Sequence, residues 1–302
     1  MRRAALALLL TACSSSTAPI DAGLADATTT APERQDAGGT DGGAADAGAP
    51  TGLATLFVGN SYVYTHDVPG VYRALLAGRF DPLRVESVTA GGYTLARHAA
   101  DAEADGTPLA AFLRAGSEAF DFVVLQEQSQ LGGFPETNTE RRASLVAARA
   151  LGARAAERGA TVVLFLTWGR ARGDDSNPAL FETFTAMQDR LDAGYRAMAE
   201  ALRADGVDVR VAPVGGGFRL VHEAAVRAGL DPLAAGSDFL ALYDPDGSHP
   251  SRRGAYLAAC IFAGTTAAPD VRALPDDATL GVEVSASLRG TCADALADPR
   301  WR

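Results

Sequence analysis

Thr55-Leu56-Phe57-Val58-Gly59-Asn60-Ser61 decides how this chain is read. A β-branched residue and three apolar ones run without interruption into a glycine, an asparagine and a serine. A short continuous apolar run of this kind predicts a strand covered on both faces. The turn that follows places Ser61 at the carboxyl edge of the sheet. There its hydroxyl faces a cleft, with the N–H groups of the next helix aimed at it. The plain alternative is a turn or N-cap serine. Far along the chain, Asp246-Gly247-Ser248-His249-Pro250 sets an imidazole three residues after a carboxylate, in a tight turn. Such a carboxylate orients the ring through its Nδ1–H and leaves the other nitrogen to take a proton from a serine.

Working outward from Thr55–Val58, further strands are predicted at Leu83–Val88, Phe120–Gln126, Thr161–Thr167 and Val207–Val211. Helix-period segments lie at Val68–Ala77, Thr107–Ala115, Glu140–Arg158, Leu180–Ala204 and Phe218–Ala228, and another follows His249. In the Arg-rich segment 141–158, Leu145, Ala148, Leu151 and Ala155 form one stripe. Repeated β-α alternation predicts a doubly wound parallel sheet with right-handed crossovers. Ligands of such sheets bind at the carboxyl ends of the strands, where the unusual residues of this chain cluster.

Thr89-Ala90-Gly91-Gly92-Tyr93-Thr94 follows the second strand. A glycine there lets backbone N–H approach a developing oxyanion, and Gly92 is the candidate donor; a plain turn is the alternative. Leu125-Gln126-Glu127-Gln128-Ser129 ends the third strand in amides and an acid. These either supply another oxyanion donor or satisfy loop backbone. Trp168-Gly169-Arg170 follows the fourth strand. Trp168 and Arg170 either bind a polar or sugar substrate, or pack the loop with Arg170 paired to Asp174 or Asp175. His66, His98 and His222 read as surface or capping residues, with His66 near enough to Ser61 to rim the cleft. Asp244-x-Asp246-Gly is not a calcium loop, because the required glycine and glutamate positions hold His249 and Ala255. Gly215-Gly216-Gly217 lacks the further glycine of a dinucleotide fingerprint, since Leu220 stands there. No clustered zinc ligands appear.

The start of the chain reads as an export signal. Arg2 and Arg3 precede an apolar run from Ala4 to Leu10, too short to span a bilayer, and then Leu10-Thr11-Ala12-Cys13. This resembles a bacterial lipobox with Cys13 as the lipidated residue. Ser14 after it favours the outer membrane, by analogy with lipoprotein sorting in diderm bacteria. Three regions result: a signal at 1–12, the lipidated cysteine with a tether at 13–50, and a domain at 51–302. The tether is Ala, Gly, Asp, Thr, Ser and Pro, with too little to bury for ordering. As a coil it reaches roughly 30–40 Å. The formal net charge is −10, with no basic run and arginine as the only Lys/Arg type present. That balance argues against nucleic acid and against an anionic membrane surface. Cys260 and Cys292 either form a disulfide, worth about 3–4 kcal/mol in the chain-entropy model, or remain two buried thiols.

The ordered set Gly59-Asn60-Ser61, Gly92, Gln126–Gln128 and Asp246-x-x-His249 resembles the SGNH/GDSL hydrolase superfamily over about residues 53–265. The resemblance implies a three-layer α/β/α, flavodoxin-like five-stranded fold. It implies Ser61, Asp246 and His249 as a triad and the N–H groups of Ser61 and Gly92 as oxyanion donors. The usual third block, Gly-x-Asn-Asp, is here Leu-Gln-Glu-Gln-Ser, as in a branch of SGNH-like bacterial proteins. Gln126 or Gln128 then stands in for the asparagine. The implied activity is hydrolysis of an acyl ester, of acetyl type on a carbohydrate, with no cofactor and no metal. The implied partner is a small-molecule or glycan ester, and membrane contact runs only through the lipid. Transfer of the acyl group to a sugar, or glycan binding without chemistry, are the alternatives.

Overall fold

The computed structural model describes residues 52–267 and 270–301. The signal, Cys13 and the tether lie outside the described residues. Within them, no helix is long and apolar enough to cross a membrane.

Five parallel strands form one sheet: β1 (Leu53–Gly59), β2 (Leu83–Thr89), β3 (Phe122–Leu125), β4 (Thr161–Phe165) and β5 (Val209–Ala212). Their order is β2-β1-β3-β4-β5, the doubly wound arrangement. The register brings Gly59 beside Thr89 and Val58 beside Leu125, so the exits of β1, β2 and β3 share one edge. Side chains alternate along β1. Phe57 joins the core on one face, whereas Leu56 and Val58 join the core on the other. That is why the central strands read as unbroken apolar runs.

The nine described helices are α1 (Ser61–Tyr64), α2 (Val68–Leu76), α3 (Leu95–Glu103), α4 (Pro108–Leu113), α5 (Thr139–Glu157), α6 (Phe184–Ala204), α7 (Val214–Arg227), α8 (Arg252–Ala267) and α9 (Val282–Ala297). One face of the sheet carries α1, α2 and α8, with Tyr72, Phe262 and the wholly buried middle of α8. The opposite face carries α3, α5 and α6, with Leu95, Leu151, Met187 and Leu202. The result is a three-layer α/β/α fold.

Local differences from the sequence reading have physical causes. β3 stops at Leu125; Gln126 still donates its N–H to the Val58 carbonyl, and its side chain crosses to the turn after β1. α7 begins at Val214, four residues before Phe218, so the three glycines are helical. A Cβ on Gly215 would lie 2.2 Å from the Thr167 carbonyl oxygen, and one on Gly217 2.9 Å from Ile261. Close packing, not a ligand, explains that run. Cys260 on α8 and Cys292 on α9 are fully buried free thiols, the second of the two readings offered for this pair. The packing of α8 against α9 already holds this end of the chain, and burial pushes the Cys292 thiol upward.

Candidate active site

β1 delivers the chain to Asn60, the N-cap of α1, whose Oδ1 accepts from the Tyr62 N–H at 3.1 Å. Ser61 is therefore the first residue of a helix at the carboxyl edge of the sheet. Its hydroxyl lies 2.8 Å from His249 Nε2, across 188 residues of sequence. His249 Nδ1 lies 2.5 Å from Asp246 Oδ2. An ionised carboxylate only accepts, so Nδ1 carries the proton and Nε2 is left to accept from the Ser61 hydroxyl. Asp246 Oδ1 also accepts from the N–H groups of Ser248 and His249, both at 2.9 Å. Burial draws this carboxyl upward. The bonds from the His249 ring and the two backbone N–H groups outweigh that and hold it below the usual carboxylate range. The turn needs Gly247 at φ +67°, and its N–H closes onto the Asp244 carbonyl.

Tyr62, which the sequence did not single out, and Trp168 join the halves of this site. Tyr62, next to Ser61, bonds through its hydroxyl to Ser248 Oγ at 2.7 Å. Trp168 donates its indole N–H to the Ser248 carbonyl at 2.9 Å. The Trp168 ring is sandwiched between Tyr62 at 4.6 Å and Phe218 at 4.5 Å, nearly parallel to both. Tyr62 also meets the His249 ring edge-on. This corrects the substrate-binding reading of Trp168, which is fully buried and braces the base-bearing loop. The only sequence hint to Tyr62 was its place after the serine.

Arg170 forms an ion pair with the buried Asp174 at 2.6 Å and lines a cleft of about 490 Å³ with Tyr243, Asp244 and Asp246. Of the two readings for Arg170, the pairing is present, and its side chain still reaches the cleft wall. His66 Nε2 lies 3.0 Å from Oδ1 of Asp244, which lines that cleft.

Gly92 sits in an exposed turn at φ +67°, with open space where a Cβ would stand. Among the described residues, neither its N–H nor that of Ser61 makes another hydrogen bond. Gln128 shares a second cleft, about 350 Å³, with Gly92, Thr94 and Ser144. Its Oε1 accepts from the Gln130 N–H at 3.1 Å and its Nε2 donates to Ser129 at 3.3 Å. Gln126 differs from its expected role. It is fully buried, accepts from the Asn60 N–H at 2.8 Å and donates to the Glu127 carbonyl, so its amide is committed to the protein. His98 is likewise not a surface residue. It is fully buried, donates from Nε2 to the Gly59 carbonyl at 2.8 Å, and is held below its ordinary pKa by burial.

No family model matches the sequence, and no curated protein matches it. Solved structures do. A protein from Slackia heliotrinireducens, provisionally described as an SGNH hydrolase, is 27% identical, covers 71% of this chain and 99% of its own, and gives a TM-score of 0.53. A DUF4886 family protein from Bacteroides uniformis is 16% identical over 82% of this chain and 96% of its own, with a TM-score of 0.61. An acetyl xylan esterase, AlAXEase, is 15% identical over 70% of this chain and 98% of its own, with a TM-score of 0.49. With the doubly wound sheet, the order of the motifs and the likeness to the Slackia protein together, this chain belongs to the SGNH/GDSL hydrolase superfamily.

Proposed function

We propose that the protein is a serine ester hydrolase acting on an acyl ester, of acetyl type on a carbohydrate. The observation that carries this is the unbroken relay from Ser61 Oγ through His249 to Asp246, at 2.8 and 2.5 Å. In this reading His249 Nε2 takes the Ser61 proton as Oγ attacks the ester carbonyl. The free N–H groups of Ser61 and Gly92 stabilise the oxyanion, and Gln128 is the remaining side-chain amide on that side. The proton on His249 passes to the departing alkoxide as the C–O bond breaks, leaving an acyl-serine. A water then gives its proton to His249 and attacks the acyl carbon, which frees the acid and restores the Ser61 hydroxyl. Asp246, kept ionised, stabilises the imidazolium in both halves.

The carbohydrate preference rests on the resemblance and on the polar Arg170–Asp246 cleft beside the triad. Export and lipid anchoring at Cys13 rest on the sequence and belong to the same proposal. The test is hydrolysis of p-nitrophenyl acetate by the protein and by Ser61→Ala. Turnover lost in the variant supports a serine esterase. Absence of turnover in folded wild type would remove that reading and leave O-acetyl transfer or glycan binding.

A further inference from the structure

The Gln-Glu of the third block is buried beside the oxyanion side of the site, yet the proposed reaction gives it no chemical task. Its contacts converge on the loop that holds Gly92. Gln126 Oε1 accepts from the Asn60 N–H at 2.8 Å. The Asn60 side chain in turn donates from Nδ2 to the Tyr93 carbonyl at 2.8 Å. Glu127 Oε1 accepts from the N–H of Leu95, the first residue of α3, at 3.1 Å, and from its neighbour Gln128 at 2.6 Å. From below, the Gly59 carbonyl accepts from Ala90 N–H at 3.3 Å and from His98 Nε2 at 2.8 Å. Loop 90–95 is thus bonded at three points to the exits of β1 and β3, and His98 of α3 adds a fourth bond to Gly59, while a Cβ on Gly92 would meet nothing within 4 Å. The fit leaves no slack: a Cβ on Gly59 would stand 2.5 Å from Gln126 Oε1.

We propose that Asn60, Gln126 and Glu127 are positioning residues that clamp the Gly92 loop at the oxyanion hole, with Gln126 acting through Asn60 and not on the substrate. The proposal rests on the serine-esterase reading for its kinetic half only. It accounts together for the residue at position 60 and for the altered third block. A side-chain donor to the Tyr93 carbonyl requires Asn60, because an aspartate there would set a carboxylate against that carbonyl. The long Gln126 amide reaches the Asn60 backbone, which lies beyond β3 in the neighbouring strand's exit turn.

The experiment compares wild type with Asn60→Asp, Glu127→Gln and Glu127→Ala in two readouts. One is steady-state hydrolysis of p-nitrophenyl acetate. The other is amide hydrogen exchange of the segment 89–96. Aspartate caps a helix about as well as asparagine, so Asn60→Asp keeps the cap of α1 and loses only the bond to Tyr93. The expected result is a kcat lower by about 10-fold or more at nearly unchanged KM, with faster exchange confined to 89–96. Glu127→Gln retains an oxygen for the Leu95 N–H and is expected to behave close to wild type, whereas Glu127→Ala follows Asn60→Asp. Wild-type exchange at 89–96 in Asn60→Asp overturns the clamp whatever the activity does. Wild-type kcat with accelerated exchange overturns its link to the oxyanion hole. Accelerated exchange in a protein without Ser61-dependent turnover refutes the esterase reading instead.

Discussion

Replacing Trp168 by phenylalanine separates a brace from a substrate contact. The variant loses the indole N–H that serves the Ser248 carbonyl at 2.9 Å, one residue before the base. Leaving that acceptor without a partner costs about 1–3 kcal/mol. The smaller ring also leaves space between Tyr62 and Phe218, in a side chain with no exposed surface. Together the expected loss is roughly 2–4 kcal/mol. For a domain of this size that lowers the melting temperature by roughly 5–15 °C, at about 2–4 °C per kcal/mol. The released Ser248 carbonyl lets the Asp246–His249 turn drift from Ser61. A displacement near 1 Å at such a site costs up to about 100-fold in rate. Melting curves and p-nitrophenyl acetate kinetics on the same preparation read both effects. The expected outcome is a lower kcat at unchanged KM, measured below the new melting point. A raised KM with unchanged kcat would refute the brace and return Trp168 to the substrate. Unchanged kcat in a destabilised protein would show that the loop is held without it.

Other expectations follow from single contacts. Gly194 on α6 packs so closely that a Cβ would lie 1.7 Å from the Gly132 carbonyl oxygen. Gly194→Ala is expected to cost on the order of 2 kcal/mol or more, and a denaturant midpoint equal to wild type would contradict that packing. Asp277 is drawn upward by burial, but Arg252 at 2.8 Å and two backbone N–H groups hold its carboxyl below the ordinary range. A depressed folded pKa means stability that is present above the unfolded value of about 3.9 and lost as pH falls through the folded one. Asp277→Asn should therefore be less stable than wild type at pH 7, with the gap closing below pH about 4; an equal gap at pH 7 and pH 3 would sink the assignment. Cys260 and Cys292 should resist a thiol reagent in the native protein and react as two thiols after unfolding. One disulfide's worth of missing thiol after unfolding would instead show that the staple forms in solution.

The sheet was legible because its central strands are nearly pure β-branched and apolar residues, flanked by turn residues. Its ends were less so. Gln126 looks like the last residue of a strand until its amide is seen to cross to Asn60. α3 escaped notice because Leu95–Glu103 buries only Leu95, His98 and Ala102, too few for a clear stripe. α9 buries Ser285, Leu288, Cys292 and Ala295, a face too mixed to stand out. The spacing of Asp246 and His249 is a local property, readable from four consecutive residues. The roles of Trp168 and Gln126 depend on which distant residue lies above or beside them. Tyr62, Ser248 and Phe218 reach Trp168 from three separate segments, and no local pattern encodes that meeting.

The bond between Ser61 and His249 joins positions 188 residues apart. A chain emerging from the ribosome therefore carries its nucleophile long before it carries a base. The base-bearing turn leads straight into α8, whose middle is buried against the sheet. Reactivity of Ser61 thus reports the last step of assembly, not the first. A protein cut between α7 and Asp246 would yield one piece with an inert serine and one with an idle imidazole. Turnover on mixing them would measure, directly, how well the end of this chain finds its beginning.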